Sequence, residues 1–511
     1  MTDSQAAEPG GIALGTARGR WVLATTALGS GMAFLDGTVV NVALPAMGRD
    51  LNAEVAGLQW IINGYMLMLA ALILLSGSLG DRFGRRRVFL TGVIWFALAS
   101  AICAVAPTLE VMIAGRVLQG VGGALLTPGS LAILQTTFRR PDRGRAVGAW
   151  SGLTSVSAAI GPFIGGWLVD SGSWRLIFLI NLPIAAVTVA IALRHVPETR
   201  DETAGGKLDL AGAALATLGL GGLTFGLISA GDRGFGDALV LIALVAGAVC
   251  LAAFVEVERR SSHPMLPPGI FANIRFTGAN LVTVAVYGAL GTATFLVVVY
   301  LQEVLGYSAL HAGAALLPMT LLMLALSTRA GSLSEHIGPR LPMTVGPLLM
   351  ACGFLLMLRI EPGVSYVGVV LPSVVVLGFG LVATVAPLTA TVLSSVEDHH
   401  AGIASGVNNA VARSAQLMAV AAIPLAAGIT GDAYRDPVAF SNGFGTAMWI
   451  SAGLAVAGGV LAFVTLAARK PAPVPEIPVA VSVTHHIHCA LEAPPLTSCP
   501  GSTASASRSA G

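Results

Sequence analysis

The feature that most constrains this chain is a series of apolar stretches, each about 20 residues long, that recurs from residue 21 to residue 467. A stretch of about 20 apolar residues can cross the hydrocarbon core of a bilayer as an α-helix. Charged residues make up 11% of the sequence, whereas a soluble globular protein carries about 25%. The sequence therefore predicts an all-α, polytopic membrane protein with the lipid bilayer as a partner. A net charge of only +2 predicts no strong attraction to nucleic acid.

Fourteen of these stretches are predicted to span the membrane. They lie at 21–43, 58–79, 88–106, 110–135, 147–169, 175–193, 209–230, 237–256, 277–301, 311–328, 342–358, 366–388, 403–425 and 444–467. With the N-terminus in the cytoplasm, the inside segments hold 20 Lys and Arg residues and the outside segments hold 5. Because cytoplasmic loops carry the excess of Lys and Arg, we expect both termini inside, in a multi-pass protein of the cell (inner) membrane.

A short motif occurs twice, each time in a gap predicted to be cytoplasmic. GSLGDRFGRRR at 77–87 is echoed by GSLSEHIGPRL at 331–341. Eight predicted spans separate the copies, and repeated halves around a midplane site are typical of secondary transporters. The alternative is that any inside loop attracts Gly and Arg. A true repeat predicts a cytoplasmic N-terminus (1–20), a six-helix bundle (21–193), two inserted helices (209–256), a second six-helix bundle (277–467) and a disordered cytoplasmic tail (468–511).

Two opposite charges are predicted at a similar depth in the membrane. Asp36 lies 15 residues beyond Trp21, which places it about 22 Å along a helix and about 8 Å below the outer face. The fourth span begins at that face, and Arg116, six residues into it, lies about 9 Å below the face. An ion pair would lower the cost of burying both groups. Because Arg stays charged, Asp36 is the member that could carry a proton; a static structural pair is the alternative.

Polar residues in the thirteenth span and small residues in the fifth also stand out. Asn409, Arg413 and Gln416 share one helix face, so they line a cavity or join two helices. The fifth span, GLTSVSAAIGPFIGGWL at 152–168, is nearly bare of large side chains over one surface, and Pro162 is expected to kink it. This composition suits a hinge or a tight seam, and helix packing alone is the simpler interpretation.

Other patterns predict little chemistry. The tail contains THHIHC at 484–489, but no second ligand pair accompanies it, so no metal site is predicted. No nucleophile–base arrangement and no nucleotide-binding loop stands out, so neither an enzyme nor a primary active transporter is expected.

Together these residues resemble the major facilitator superfamily, specifically its fourteen-helix drug:proton antiporters, over about residues 18–470. The motifs that carry the resemblance are GSLGDRFGRRR (77–87), LDGTVVNVALP (35–45), GRVLQGVGGALLTPGSLAI (115–133), GLTSVSAAIGPFIGG (152–166), LQWIINGY (58–65), SWRLIFLINLP (173–183) and GVNNAVARSAQ (406–416). The resemblance implies alternating access between two six-helix bundles, with inward proton movement driving export of a small amphipathic substrate. It implies no cofactor beyond the coupling proton, and we expect a monomer.

The resemblance also implies roles for individual residues. Asp36 and Arg116 would belong to proton coupling. A cytoplasmic gating loop would comprise Gly77, Asp81, Arg82, Gly84, Arg85 and Arg86. The antiporter motif would comprise Gly152, Gly161, Pro162, Gly165 and Gly166. Candidate cavity residues are Asn41, Trp60, Asn63, Tyr65, Gln119, Asn408, Asn409, Arg413 and Gln416.

Two departures from the family pattern matter. His336 stands in the second loop copy where the first has Arg82, and the tenth span, 311–328, contains no Asp or Glu. The second departure argues against dicationic substrates.

The positive-inside rule explains the arginines of the first loop copy but not its acid. We therefore predict that Asp81 pairs across the cytoplasmic face in the outward-open state and releases as the halves move. Three functions stay open at this point: a drug or antibiotic exporter, an exporter of one endogenous metabolite or lipid, and a sensor on a transporter scaffold.

Overall fold

A computed structural model describes residues 11–200, 208–261, 264–396 and 401–466, and its long elements are all helices. The predicted tail motif at 484–489 lies outside the described residues. We number the fourteen long helices of the described ranges in chain order: α1 Ala17–Asp50, α2 Val55–Phe83, α3 Arg85–Ala104, α4 Leu109–Thr137, α5 Arg140–Ser171, α6 Leu176–His195, α7 Leu210–Arg233, α8 Ala238–Arg260, α9 Ile274–Glu303, α10 Ala309–Ile337, α11 Arg340–Met357, α12 Tyr366–Ser394, α13 Ala401–Ala426 and α14 Pro437–Thr465.

Thirteen of these helices, all except α13, are long and apolar enough to cross a membrane. Helix α13 has 26 residues, which exceeds the length that a bilayer requires, and it carries the polar group around Arg413. The prediction of an all-α polytopic membrane protein is confirmed.

The helices extend beyond the apolar stretches that marked them. Helix α1 begins at Ala17, where the hydroxyl of Thr16 accepts a hydrogen bond from the backbone N–H of Gly19, and it continues to Asp50. Hydropathy marks only the part of a helix inside lipid, whereas capping side chains decide where the helix begins and ends.

Both copies of the repeated loop end a helix with the same backbone geometry. Gly84 follows α2 with φ of 104°, and Gly338 follows α10 with φ of 81°, a region that favours glycine. In each copy an arginine then bonds to a carbonyl near the end of a distant helix. Arg86 donates to Val196 O, just after α6, and Arg340 donates to Phe463 O in α14, both at 3.0 Å. The echoed sequence therefore encodes the same local turn twice.

Helix packing places the predicted inserted pair at one side of the bundle. Helix α7 contacts α2, α8 and α13, while α8 packs mainly on α7. Only 11% of the most apolar 18-residue window of α8 is buried. The contacts that join the predicted halves run instead through α1 with α9, α2 with α13 and α5 with α10. The pair α7–α8 therefore lies beside α2 and α13, two helices that also form the wall of the central cavity described below.

Candidate functional site: a buried ion pair beside a central cavity

Asp36 of α1 and Arg116 of α4 form an ion pair in the interior. The two side chains are 0% and 2% exposed, and Arg116 Nη1 lies 2.6 Å from Asp36 Oδ2. The other carboxylate oxygen, Oδ1, accepts hydrogen bonds from Gln119 Nε2 at 2.7 Å and from Asn181 Nδ2 at 3.2 Å. Asp36 thus receives donors from α4 and α6, which satisfies the condition for burying a charge without a large penalty.

Arg116 is also held by groups other than its acid. Its Nε donates to Ile61 O of α2 at 2.9 Å, and its Nη1 donates to Gln119 Oε1 at 2.6 Å. The guanidinium lies over the ring of Tyr65, 4.6 Å from the centroid. The pair therefore connects α1, α2, α4 and α6. Protonation of Asp36 would remove the negative partner and weaken the contacts that join α1 to α4 and α6.

Asn181 and Ser100 belong to this cluster, although the sequence analysis did not single them out. Ser100 Oγ accepts hydrogen bonds from Gln119 Nε2 at 2.9 Å and from Asn181 Nδ2 at 3.3 Å. A sequence signal for Asn181 did exist, because it is an amide within the apolar stretch SWRLIFLINLP. Ser100 offered no such signal, since hydroxyls in membrane helices commonly bond to their own backbone.

A cavity of about 230 Å³ lies between α1, α2, α4, α5, α9, α10 and α13. Five of the predicted cavity residues line it: Asn41, Asn63, Tyr65, Arg413 and Gln416. We call this space the central cavity. Tyr65 joins it to the ion pair, because the ring that lines the cavity also lies under the guanidinium of Arg116.

The structure places the other four candidates elsewhere. The ring of Trp60 faces Phe225 of α7, with centroids 6.4 Å apart, and Gln119 belongs to the ion-pair cluster. Asn408 donates to Asn280 and Thr283 of α9, which matches the helix-joining alternative. Asn409 is not among the residues that line the central cavity.

Two polar groups of the central cavity have few protein partners. Neither polar atom of the buried Asn63 amide bonds to another group in the described part of the chain. Arg413 Nη1 lies 3.5 Å from Gln416 Oε1, and its guanidinium lies 5.9 Å from the centroid of Phe34. No carboxylate oxygen in the described residues lies within 4.0 Å of Arg413.

Helix α5 forms a close seam, and its glycines have two different neighbours. A Cβ at Gly161 or Gly165 would collide with Thr38 or Val39 of α1. A Cβ at Gly166 would lie 2.6 Å from the carbonyl oxygen of Ala309 in α10. Pro162, predicted to kink the helix, presents its carbonyl oxygen to Gly313 of α10, where a Cβ would also collide. Gly152, by contrast, has open space around it.

The end of the bundle where α1 ends and α2 begins, which the charge distribution predicts to face outside, is closed by contacts between the predicted halves. We call it the outer end. Asp170 of α5 accepts the backbone N–H groups of Ala309 and Leu310 at 3.1 and 2.9 Å. Arg49 of α1 pairs with Glu303 of α9 at 2.6 Å.

The opposite, inner end is more open. A further cavity of about 520 Å³ lies between α5 and α10, and it shares Ala158, Met319 and Thr320 with the central cavity. The central cavity therefore adjoins a second cavity towards the inner end, whereas the contacts just described close the outer end.

Three residues of the predicted gating loop, Asp81, Arg85 and Arg86, bond to groups that lie within residues 77–198. Asp81 accepts two hydrogen bonds from Arg85, at 2.9 and 2.7 Å. Glu198, after α6, accepts the backbone N–H of Arg86 at 3.0 Å. Gly77 has open space around it, and the guanidinium of Arg82 lies 5.5 Å from the centroid of Phe83. Pairing of Asp81 across the face concerns the outward-open state, and it stays a prediction.

Comparison with known proteins agrees with this architecture. The model of the Major Facilitator Superfamily matches residues 26–420. The tetracenomycin C resistance and export protein of Streptomyces glaucescens is 35% identical over 441 residues, which cover 85% of this chain and 82% of that protein. The cephamycin export protein of Amycolatopsis lactamdurans is 37% identical over 400 residues, covering 77% of this chain and 82% of that protein.

Solved structures show the same fold at lower identity. A bacterial homologue of the human lysosomal transporter Spinster superposes with a TM-score of 0.61 at 17% identity, covering 88% of this chain and 98% of that structure. The chain belongs to the major facilitator superfamily. Within it, the relatives include proteins named for antibiotic resistance and export.

Proposed function

We propose that this chain is a proton-coupled antiporter that exports amphipathic drugs or antibiotics across the plasma (inner) membrane by alternating access. The observation that carries the proposal is the buried Asp36–Arg116 pair, connected through Tyr65 to the central cavity. The carboxylate is the one member of the pair that can gain and lose a proton. The relatives named as resistance and export proteins support the direction of transport.

The coupling would work through the helices that the pair connects. A proton on Asp36 neutralises the acceptor that holds Arg116, Gln119 and Asn181 together. Because these donors come from α4 and α6 while Asp36 lies on α1, the proton changes the free energy of packing among three helices. Tyr65, which contacts both the pair and the central cavity, would transmit that change to the substrate.

The test is export by Asp36→Asn, which keeps the side-chain shape and removes the titratable charge. We expect this variant to lose drug accumulation against a gradient in proteoliposomes with an imposed pH difference, while it still binds the drug. Asp237→Asn is the matched control, because Asp237 caps α8 through hydrogen bonds and Asn caps helices equally well. Wild-type export rates in Asp36→Asn would contradict the proposal.

A second candidate function is export of one endogenous product, and the resemblance to a cephamycin export protein favours it. Deletion of the gene would then cause a single compound to accumulate inside the cell. An unchanged intracellular metabolite profile combined with increased sensitivity to several drugs would exclude this narrower role.

A further inference from the structure

We propose that Arg413 is the binding group for an acidic function of the exported molecule, so that the central cavity selects anionic amphipaths over cations of the same size. This inference rests on the proposed function and names the substrate class that the function left open.

The central cavity has a positive charge in its lining. Among the described residues that line it, Arg413 is the one with a formal charge, and none is Asp or Glu. The nearby negative charge of Asp36 is already committed to Arg116 and enclosed by the protein. A charged side chain inside a membrane protein is costly unless it is paired or faces water or a ligand. The cavity therefore has one positive charge without an ionic partner in the described residues.

The guanidinium of Arg413 has N–H donors that are available to a ligand. The distance from Arg413 Nη1 to Gln416 Oε1, 3.5 Å, is longer than that of a normal N–H···O hydrogen bond. The ring of Phe34 lies on one side of the guanidinium. This contact orients the guanidinium plane without occupying its N–H donors. A guanidinium has five N–H donors arranged to bind a carboxylate through two parallel hydrogen bonds. An acidic group of the substrate would supply acceptors for the N–H donors of Arg413.

The remaining lining fits a flat, partly polar molecule. Phe34, Tyr65 and Phe295 supply aromatic surface, and the partly exposed side chains of Asn41 and Gln416 supply amide groups. Apolar walls with a few placed polar groups are typical of small-molecule sites. The structure therefore assigns an aromatic carboxylic acid, or a similarly acidic enol or phenol, to this cavity.

The experiment uses three probes with one ring system: 9-anthracenecarboxylate, its carboxamide and 9-(aminomethyl)anthracene. Binding of each to purified full-length protein in nanodiscs is measured by fluorescence anisotropy at pH 7. We expect wild type to bind the carboxylate about 10- to 100-fold more tightly than the amide, since hydrogen bonds to charged groups are the strong ones, and to bind the amine most weakly.

Three variants give the inference its controls. Arg413→Gln should remove the preference for the carboxylate and leave amide binding within about 2-fold, because the amide never used the charge. Arg413→Lys should keep part of the preference, since the ammonium group keeps the positive charge but cannot form two parallel hydrogen bonds to a carboxylate. Arg359→Gln removes the charge of an exposed arginine that does not line the central cavity, and it should retain the preference.

Several outcomes would overturn the inference. Equal binding of the three probes by wild type would do so, and so would equal weakening of all three by Arg413→Gln. Failure of the proposed function is distinguishable, because it would show as intact carboxylate preference without any export driven by a pH difference.

Discussion

Two arginines lie inside the helix bundle, and they have opposite surroundings. Arg116 is enclosed, paired with Asp36 at 2.6 Å and bonded to a backbone carbonyl of α2. Arg413 lines the central cavity and has no carboxylate within 4.0 Å in the described residues. The first charge is fully satisfied by the protein, so its contacts belong to the fold and to the proposed coupling. The second is left for whatever occupies the cavity.

The largest expected effect comes from removing Arg116, the arginine whose charge is paired within the protein. We expect Arg116→Ala to destabilise the protein by about 3–5 kcal/mol, because it leaves the carboxylate of Asp36 buried without its cation. The free energy of unfolding is measured by SDS titration of the purified protein in mixed micelles.

The double variant Asp36→Asn with Arg116→Gln serves as the control. Because it removes both charges together, it should cost less than the sum of the single changes. Additive losses would show that the two charges do not interact.

Removing one supporting donor should have an intermediate effect. Asn181→Leu deletes one of the hydrogen bonds to Asp36 and should cost roughly 1.5–3 kcal/mol in the same titration, the range for hydrogen bonds to charged groups. Asn442→Leu is a useful comparison, since Asn442 is an amide near the start of α14, outside the cluster. A loss as small as that of the comparison variant would remove Asn181 from the ion-pair cluster.

The smallest expected effect concerns Arg413, which has no ionic partner among the described residues. Arg413→Gln should change the free energy of unfolding by less than about 1 kcal/mol, because none of the usual causes of a large loss applies to it. Thermal unfolding of wild type and variant in the same detergent checks this. A loss comparable to that of Arg116→Ala would mean that Arg413 has a structural partner and would end the contrast between the two residues.

The sequence was sufficient to predict that Asp36 and Arg116 lie at a similar depth, because helical rise is fixed. Depth along a span follows from residue number alone, and it placed Asp36 and Arg116 at the same level before any packing was known. The two glycines of the repeated loop were similarly predictable as equivalent positions, and their positive φ explains why the spacing recurs.

Lateral contacts were beyond the sequence, since they depend on which helices are neighbours and how each is rotated. Trp60 and Asn408 were predicted in the cavity and instead face α7 and α9. The contribution of Asn181 from α6 and the absence of a carboxylate near Arg413 among the described residues required the positions of all surrounding helices. The division into two bundles and an inserted pair stays a prediction.

One feature of the α5–α10 seam limits how such a transporter can diversify. At the outer end the closest approaches involve main-chain atoms, with Gly166 against Ala309 and Leu310 and Gly313 against Pro162. Main-chain atoms cannot be shortened or replaced by substitution, so the distance of closest approach of the two helices is the same for every sequence that keeps these glycines. The side chains of the central cavity lie outside that constraint. New substrates can thus be accommodated by mutation of the cavity without resetting how the outer end closes.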